Sequence, residues 1–284
     1  MRLPFPGQVE IWSIHCDAFS EAERMQGLRW LTEKEQERYR RFLRAQDRVE
    51  YLTTRMLQRC VFSHMFGAGP ETWRFSASAK GRPFLVDGPS TLAFNLTHSA
   101  QHILCAVGTQ CDLGLDLEYF QQRRDILGIA KHFFTPLECG VIAAQSTPLL
   151  QHLKFLEHWT LKEAYMKARG MGFGIDPVSL CFEVEGSTLR FAPQSSVEPS
   201  PDTWSFVLWD WQQKAKVALC VRPAPLDKVL AFQAQPCSRA RDTVYASALN
   251  VARQTASTRK GEQQRAFSVC FFDAQSLIRG HLRS

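Results

Sequence analysis

Gly114-Leu115-Asp116-Leu117-Glu118 is the stretch on which the reading of this chain turns. In an extended strand side chains alternate, so Asp116 and Glu118 leave one face roughly 6.6 Å apart along the backbone, while Leu113, Leu115 and Leu117 leave the other. Such a strand has one apolar face and one acidic face. A third carboxylate stands in Trp159-Thr160-Leu161-Lys162-Glu163, on a predicted helix where Trp159, Glu163 and Lys167 are four apart and share a face. Taken singly, the strand reads as solvated and the Glu163–Lys167 spacing as a surface ion pair. Joined, they supply what a hard cation needs. Magnesium takes one or two carboxylates, phosphate oxygens and retained waters in near-octahedral geometry, and a nearby lysine neutralises remaining phosphate charge.

Working outward, Thr32-Glu33-Lys34-Glu35 has the order of a capping box. Apolar positions from Tyr39 to Met65 then recur at helical spacing until Gly67-Ala68-Gly69-Pro70, which predicts a long or twice-broken amphipathic helix. Leu92-Ala93-Phe94-Asn95-Leu96 and His102-Ile103-Leu104-Cys105-Ala106-Val107 predict strands around a polar turn. Past the acidic strand, Thr135-Pro136-Leu137-Glu138 sets a cap, a first-turn proline and a third-position glutamate in order, and a second helix is predicted from Pro148 to Gly170. Short strands follow at 180–184, 189–191, 204–209 and 216–221.

Each half thus reads as helices followed by strands, and the halves end alike in Leu104-Cys105-Ala106-Val107 and Leu219-Cys220-Val221. The expectation is an α+β fold of two similar α/β subdomains, residues 1–112 and 113–225, related by a pseudo-twofold with the active site at their junction. Residues 226–284 differ: they are rich in Arg, Gln, Ser and Ala, with one apolar cluster from Phe267 to Phe272. They are expected to be a basic C-terminal appendage of uncertain order.

Of the formal net charge of +6, this last segment carries +5, with nine Lys or Arg against four Asp or Glu. The remaining body is nearly balanced and holds no nucleic-acid motif, which argues against nucleic-acid binding. The N-terminus has no apolar core and no run approaches the length of a membrane span, so a cytoplasmic protein is expected. The nine cysteines sit singly, without a CxxC or zinc spacing, and read as reduced thiols.

Five motifs in order resemble the 4′-phosphopantetheinyl transferases of the larger, surfactin-synthetase-activating type. They are Gly81-Arg82-Pro83, Phe94-Asn95-Leu96-Thr97-His98-Ser99, Gly114 to Glu118, Phe134-Thr135-Pro136-Leu137-Glu138, and Trp159 to Lys167 as WTLKEAYMK. The motifs run from Gly81 to Lys167, and the resemblance covers about residues 30–222. The resemblance implies that Asp116, Glu118 and Glu163 hold Mg²⁺ against the diphosphate of coenzyme A. A serine of an apo acyl or peptidyl carrier protein would then take the phosphopantetheine, releasing adenosine 3′,5′-bisphosphate. Lys167, supported by Lys162, is expected to contact the diphosphate, and Glu163 to take the serine proton, with Glu138 second because capping already explains it. His98 and Thr97 are expected at a diphosphate oxygen, and Arg48, Lys80 and Arg82 at the 3′-phosphate.

Two other functions use the same residues: a Mg-dependent phosphohydrolase, and a non-catalytic module that binds coenzyme A or carrier proteins. Against the second stand the intact acids, a like-charge cluster that a mere scaffold has no reason to keep. A body of two halves can enclose its site without a partner subunit, so a monomer is expected. Arg38, Arg40, Arg41 and Arg44 form a candidate docking face for acidic carriers.

Overall fold

Strands β5 (His102–Thr109) and β10 (Ala215–Pro223) are buried along most of their length, and the order of layers explains why. The computed structural model describes residues 3–121, 125–171, 174–186, 188–212, 215–224, 253–255 and 267–283. β1 (Gln8–His15), β4 (Leu92–Ser99), β5 and β12 (Ser268–Asp273) make a sheet in the order β12-β1-β5-β4. β6 (Cys111–Tyr119), β7 (Phe182–Glu185), β8 (Thr188–Phe191), β9 (Ser205–Trp211), β10 and β11 (Arg253–Thr255) make a second, in the order β6-β10-β9-β11-β8-β7. β2 (Phe75–Ala77) and β3 (Pro83–Leu85) form a separate hairpin.

Alternation decides which core each strand residue enters. In β5, Ile103, Cys105 and Val107 pack with Leu52, Met56 and Leu57 of helix α3 (Ala45–Phe66), which follows α1 (Glu21–Leu28) and α2 (Glu33–Arg41). Leu104 and Ala106 turn the other way and meet Leu113, Leu115 and Leu117 of β6 and Val217 and Leu219 of β10. Beyond that seam, Ala218 and Cys220 pack with Leu161, Ala164 and Tyr165 of helix α6 (Pro148–Arg169), which follows α4 (Ile126–Phe133) and α5 (Pro136–Ala143). The layers therefore run α3, first sheet, second sheet, α6. Sheets covered on both faces need nearly continuous apolar strands, which is what β5 and β10 supply.

The long helix predicted after Thr32 is two helices. Phe42 leaves helical geometry with ψ at 128°, and Nε of Arg48 donates to its carbonyl at 2.8 Å, closing the corner before α3. α3 and α6 are both 22 residues long and both end on a left-handed glycine, Gly67 (φ 83°) and Gly170 (φ 61°), a conformation that costs other residues strain.

The C-terminal appendage reading is corrected for residues 267–283. β12 pairs in parallel with β1 over six residues, and α7 (Gln275–Arg283) sets Ile278 into the α3 core together with Ala274. Phe272 stacks on Trp12 with ring centroids 4.4 Å apart, and Arg279 pairs with Glu23 at 3.0 Å. A lone strand and one amphipathic helix look like an appendage in sequence because their partners lie more than 200 residues away. Residues 225–252 and 256–266, which belong to the same expected appendage, lie outside the described residues. No described helix is long and apolar enough to cross a membrane.

Candidate active site

Gly114 brings the acidic strand and the second long helix together. A Cβ on this residue would stand 1.9 Å from the Ala164 carbonyl oxygen and 2.5 Å from the Ala168 nitrogen, both backbone atoms of α6. Only a glycine lets α6 lie this close to β6. That approach carries Glu163 and Lys167, which flank Ala164, over the face of β6 that bears Asp116 and Glu118.

Lys167 Nζ reaches Asp116 Oδ1 at 2.7 Å and the Leu115 carbonyl oxygen at 3.2 Å. Thr97 Oγ1 donates to the same Asp116 oxygen at 3.2 Å. Asp116 is only 4% exposed, yet its Oδ2 has no hydrogen-bond partner among the described residues. Buried carboxylate oxygens are costly to leave unpaired. Glu163 is half-buried beside it; burial first, and then the charge of Asp116, push its carboxyl above the ordinary range, while Lys167 opposes them. The cluster therefore stores like-charge repulsion that a cation relieves. No three His, Cys, Asp or Glu side chains among the described residues already converge as a metal cage.

The FNLTHS segment occupies β4, and its alternation splits it into two sets. Asn95, Thr97 and Ser99 turn to β6, with Ser99 Oγ 3.5 Å from Glu118 Oε2. His98 turns to α3 and pairs through Nδ1 with Glu50 at 2.9 Å. That hydrogen bond raises the imidazole pKa against the lowering effect of burial, and the Glu50 carboxyl is lowered by the same bond.

Two expected site residues have other work. Glu138 is 1% exposed: Oε1 accepts from the Phe182 N–H at 3.0 Å, and Oε2 from the Thr135 N–H and hydroxyl at 2.8 and 3.0 Å. Lys162 Nζ completes it at 2.7 Å and also donates to the carbonyls of Phe133 and Pro177. Burial pushes the Glu138 carboxyl up, but His158 and Lys162 more than reverse this and hold it below the ordinary value. A sealed, fully bonded, low-pKa carboxylate is a poor base, and a lysine spent on three oxygens is not free for a diphosphate. Glu138, expected as alternative base, and Lys162, expected as a phosphate contact, thus stand in the structure as a buried ion pair.

Arg48 is spent in part on the α2–α3 corner, and Lys80 stands exposed in the turn of the β2–β3 hairpin. Arg82 spans the halves, with Nη1 3.4 Å from the Ala168 carbonyl oxygen and 3.9 Å from Asp112. Thr97, expected at a diphosphate oxygen, is 4% exposed and bonded to β6. A small depression adjoins Glu163, walled by Phe133, Phe134, Trp159, Lys162, Met166 and Pro177. Glu50 was not singled out from the sequence, and Gly114 enters there only as the first residue of its motif; its steric role emerges only with α6 in place.

The family model described as the 4′-phosphopantetheinyl transferase superfamily matches residues 112–220, and the one described as 4′-phosphopantetheinyl transferase, N-terminal, matches residues 18–110. Over 201 residues the chain is 33% identical to the 4′-phosphopantetheinyl transferase HetI of Nostoc sp., covering 69% of this chain and 84% of that protein. It is 28% identical to the 4′-phosphopantetheinyl transferase Sfp of Bacillus subtilis over 66% of this chain and 83% of that one. It is 25% identical to the L-aminoadipate-semialdehyde dehydrogenase-phosphopantetheinyl transferase of Xenopus laevis, over 73% of this chain and 75% of that one. With the acidic strand and the helix over it lying inside the matched region, the chain belongs to the 4′-phosphopantetheinyl transferase superfamily and is an enzyme of that family.

Proposed function

We propose that this enzyme moves 4′-phosphopantetheine from coenzyme A to a serine of an apo acyl or peptidyl carrier protein, with Mg²⁺, as a monomer of the larger surfactin-synthetase-activating type. The observation that carries this reading is the Oδ2 of buried Asp116, unpartnered among the described residues, beside a Glu163 whose pKa is raised. Oxygen donors from Asp116, Glu118 and Glu163 suit a hard cation, and Asp116 keeps one oxygen open for it. When bound, the ion would neutralise the diphosphate as charge builds on the leaving group.

The chain's own residues then have separable tasks. Glu163, with its raised pKa, takes the serine proton as the hydroxyl oxygen bonds to the pantetheine-side phosphorus. The bond from that phosphorus to the bridging oxygen breaks, and adenosine 3′,5′-bisphosphate leaves with the electron pair. Lys167 balances charge at Asp116 and lies where a diphosphate would meet it. His98, whose imidazole pKa the Glu50 hydrogen bond raises, is assigned to the diphosphate, and Arg82 and Lys80 are assigned to the 3′-phosphate with Arg48. A pseudo-twofold between the halves is supported by the two 22-residue helices, each laid on its own sheet. Arg38, Arg40, Arg41 and Arg44 are all exposed around α2 and its corner, a surface of the right sign for acidic carriers in the cytoplasm.

The test is incubation with apo carrier protein, coenzyme A and Mg²⁺, following the carrier by mass spectrometry. A gain of one phosphopantetheine on serine is expected. Coenzyme A binding with no gain on several carriers would leave a binding module, and free phosphopantetheine released without carrier would leave a phosphohydrolase.

A further inference from the structure

β6 is an edge strand, yet its N–H groups are buried and must find partners. Three of them donate to side chains of β4, the edge strand of the other sheet. The Leu115 N–H donates to Asn95 Oδ1 at 3.0 Å, the Leu117 N–H to Thr97 Oγ1 at 3.1 Å, and the Tyr119 N–H to Ser99 Oγ at 3.2 Å. The partners keep a constant separation of 20 residues, so the two edges run in the same direction. Side chains thus replace the backbone ladder that would otherwise join the sheets.

This substitution has a chemical consequence at the middle rung. A hydroxyl has one proton and two acceptor lone pairs. With Leu117 N–H fixed on its acceptor side, the Thr97 proton points at Asp116 Oδ1, 3.2 Å away. Lys167 occupies the same oxygen at 2.7 Å. Both interior bonds fall on Oδ1, and Oδ2 is the oxygen left open. Ser99 repeats the pattern one rung on, between the Tyr119 N–H and Glu118.

We infer that Asn95, Thr97 and Ser99 form a side-chain ladder that docks the two sheets, and that Thr97 is a positioning residue orienting Asp116 for the cation, not a contact of coenzyme A. The inference rests on the proposed reaction, and its test reads the cation without the carrier. Mn²⁺ binding is titrated by electron paramagnetic resonance on the purified full chain with coenzyme A present and carrier absent. Thr97→Val keeps the shape and removes the hydroxyl; the Mn²⁺ dissociation constant is expected to rise about tenfold, as for loss of an outer-shell partner of a metal ligand. Coenzyme A affinity should hold within twofold in the absence of metal, and Thr97→Ser should restore Mn²⁺ binding. Amide exchange should quicken at Leu117 in the Val variant alone.

Weakened coenzyme A binding with unchanged Mn²⁺ affinity would overturn the inference and return Thr97 to the substrate. Unchanged values for both would remove it from the site. Where Thr97→Val does not fold, Ser99→Ala tests the next rung: Mn²⁺ binding weakened severalfold supports the ladder, and unchanged binding sinks it. A wild-type protein that binds Mn²⁺ with coenzyme A but modifies no carrier refutes the transfer reaction and leaves the positioning role standing.

Discussion

Helix α6 carries two lysines that each reach a buried carboxylate at 2.7 Å, and the two pairs have opposite characters. At Lys162–Glu138 both side chains are at most 2% exposed, both carboxylate oxygens are bonded, and three carbonyl or carboxylate oxygens share the ammonium. At Lys167–Asp116 the lysine is 28% exposed, one carboxylate oxygen has no partner among the described residues, and a second acid with a raised pKa stands close by. Equal distances therefore say little about role. What separates a fastener from a working site is whether every polar atom is satisfied. A closed pair resists change, whereas an open one has unspent affinity for a ligand.

The sharpest way to break this comparison is to neutralise one acid in each cluster. Glu163→Gln should lower kcat/KM for transfer about 10²- to 10⁴-fold, the range for removing a general base. Its melting temperature should hold or rise, because the variant removes a like charge beside Asp116. Mass-spectrometric turnover alongside calorimetry checks both, and near-normal turnover would take Glu163 out of the chemistry. Glu138→Gln should do the reverse. Leaving Lys162 buried without its counter-ion is expected to cost about 3 kcal/mol of stability, while the folded fraction keeps its turnover. Denaturant unfolding with parallel kinetics measures it, and lost turnover at full stability would restore Glu138 to the active site.

Much of the site was legible because its signals are local. The alternation of Asp116 and Glu118 and the four-residue spacing of Glu163 and Lys167 are properties of a strand and a helix, whatever those elements pack against. The reading failed where partners are distant. Lys162 sits beside Glu163 in sequence, but one residue along a helix is a turn of about 100°, and that turns it to Glu138. Thr97 reads from the motif as a diphosphate contact, and its bonds to Leu117 and Asp116 emerge only when β6 is laid beside it. The C-terminal segment failed for the same reason: nothing within 200 residues of Ile278 announces that its place is beneath α3. Ile278 also serves as a control for the comparison, since it is buried in the α3 core, in a different cluster from β6 and α6. Ile278→Ala should cost about 2 kcal/mol by leaving a cavity, without changing kcat of the folded enzyme. Unfolding in urea reads the loss, and an unchanged midpoint would detach α7 from the core.

The smallest effect concerns a third pair, Glu50 and His98, which is more open than either, with the His98 side chain 56% exposed. The hydrogen bond from His98 lowers the Glu50 carboxyl, and the same bond raises the imidazole above its ordinary 6.5. For the raised histidine, the stabilisation is complete below 6.5 and fades as pH rises through the folded value. For the lowered glutamate it is present above 4.5 and fades as pH falls through the folded value. The pair therefore operates between the lowered glutamate value and the raised histidine value. Solvent screening keeps its contribution to stability small. Its consequence is local: it lets His98 stay cationic near the acidic strand at a pH where a free imidazole has begun to lose its proton. An NMR titration of the His98 ring should show the midpoint falling in Glu50→Gln, with the melting temperature little changed. An unmoved midpoint would mean that the charge on His98 is set by Asp116, and the open cluster would then extend across β4 to α3.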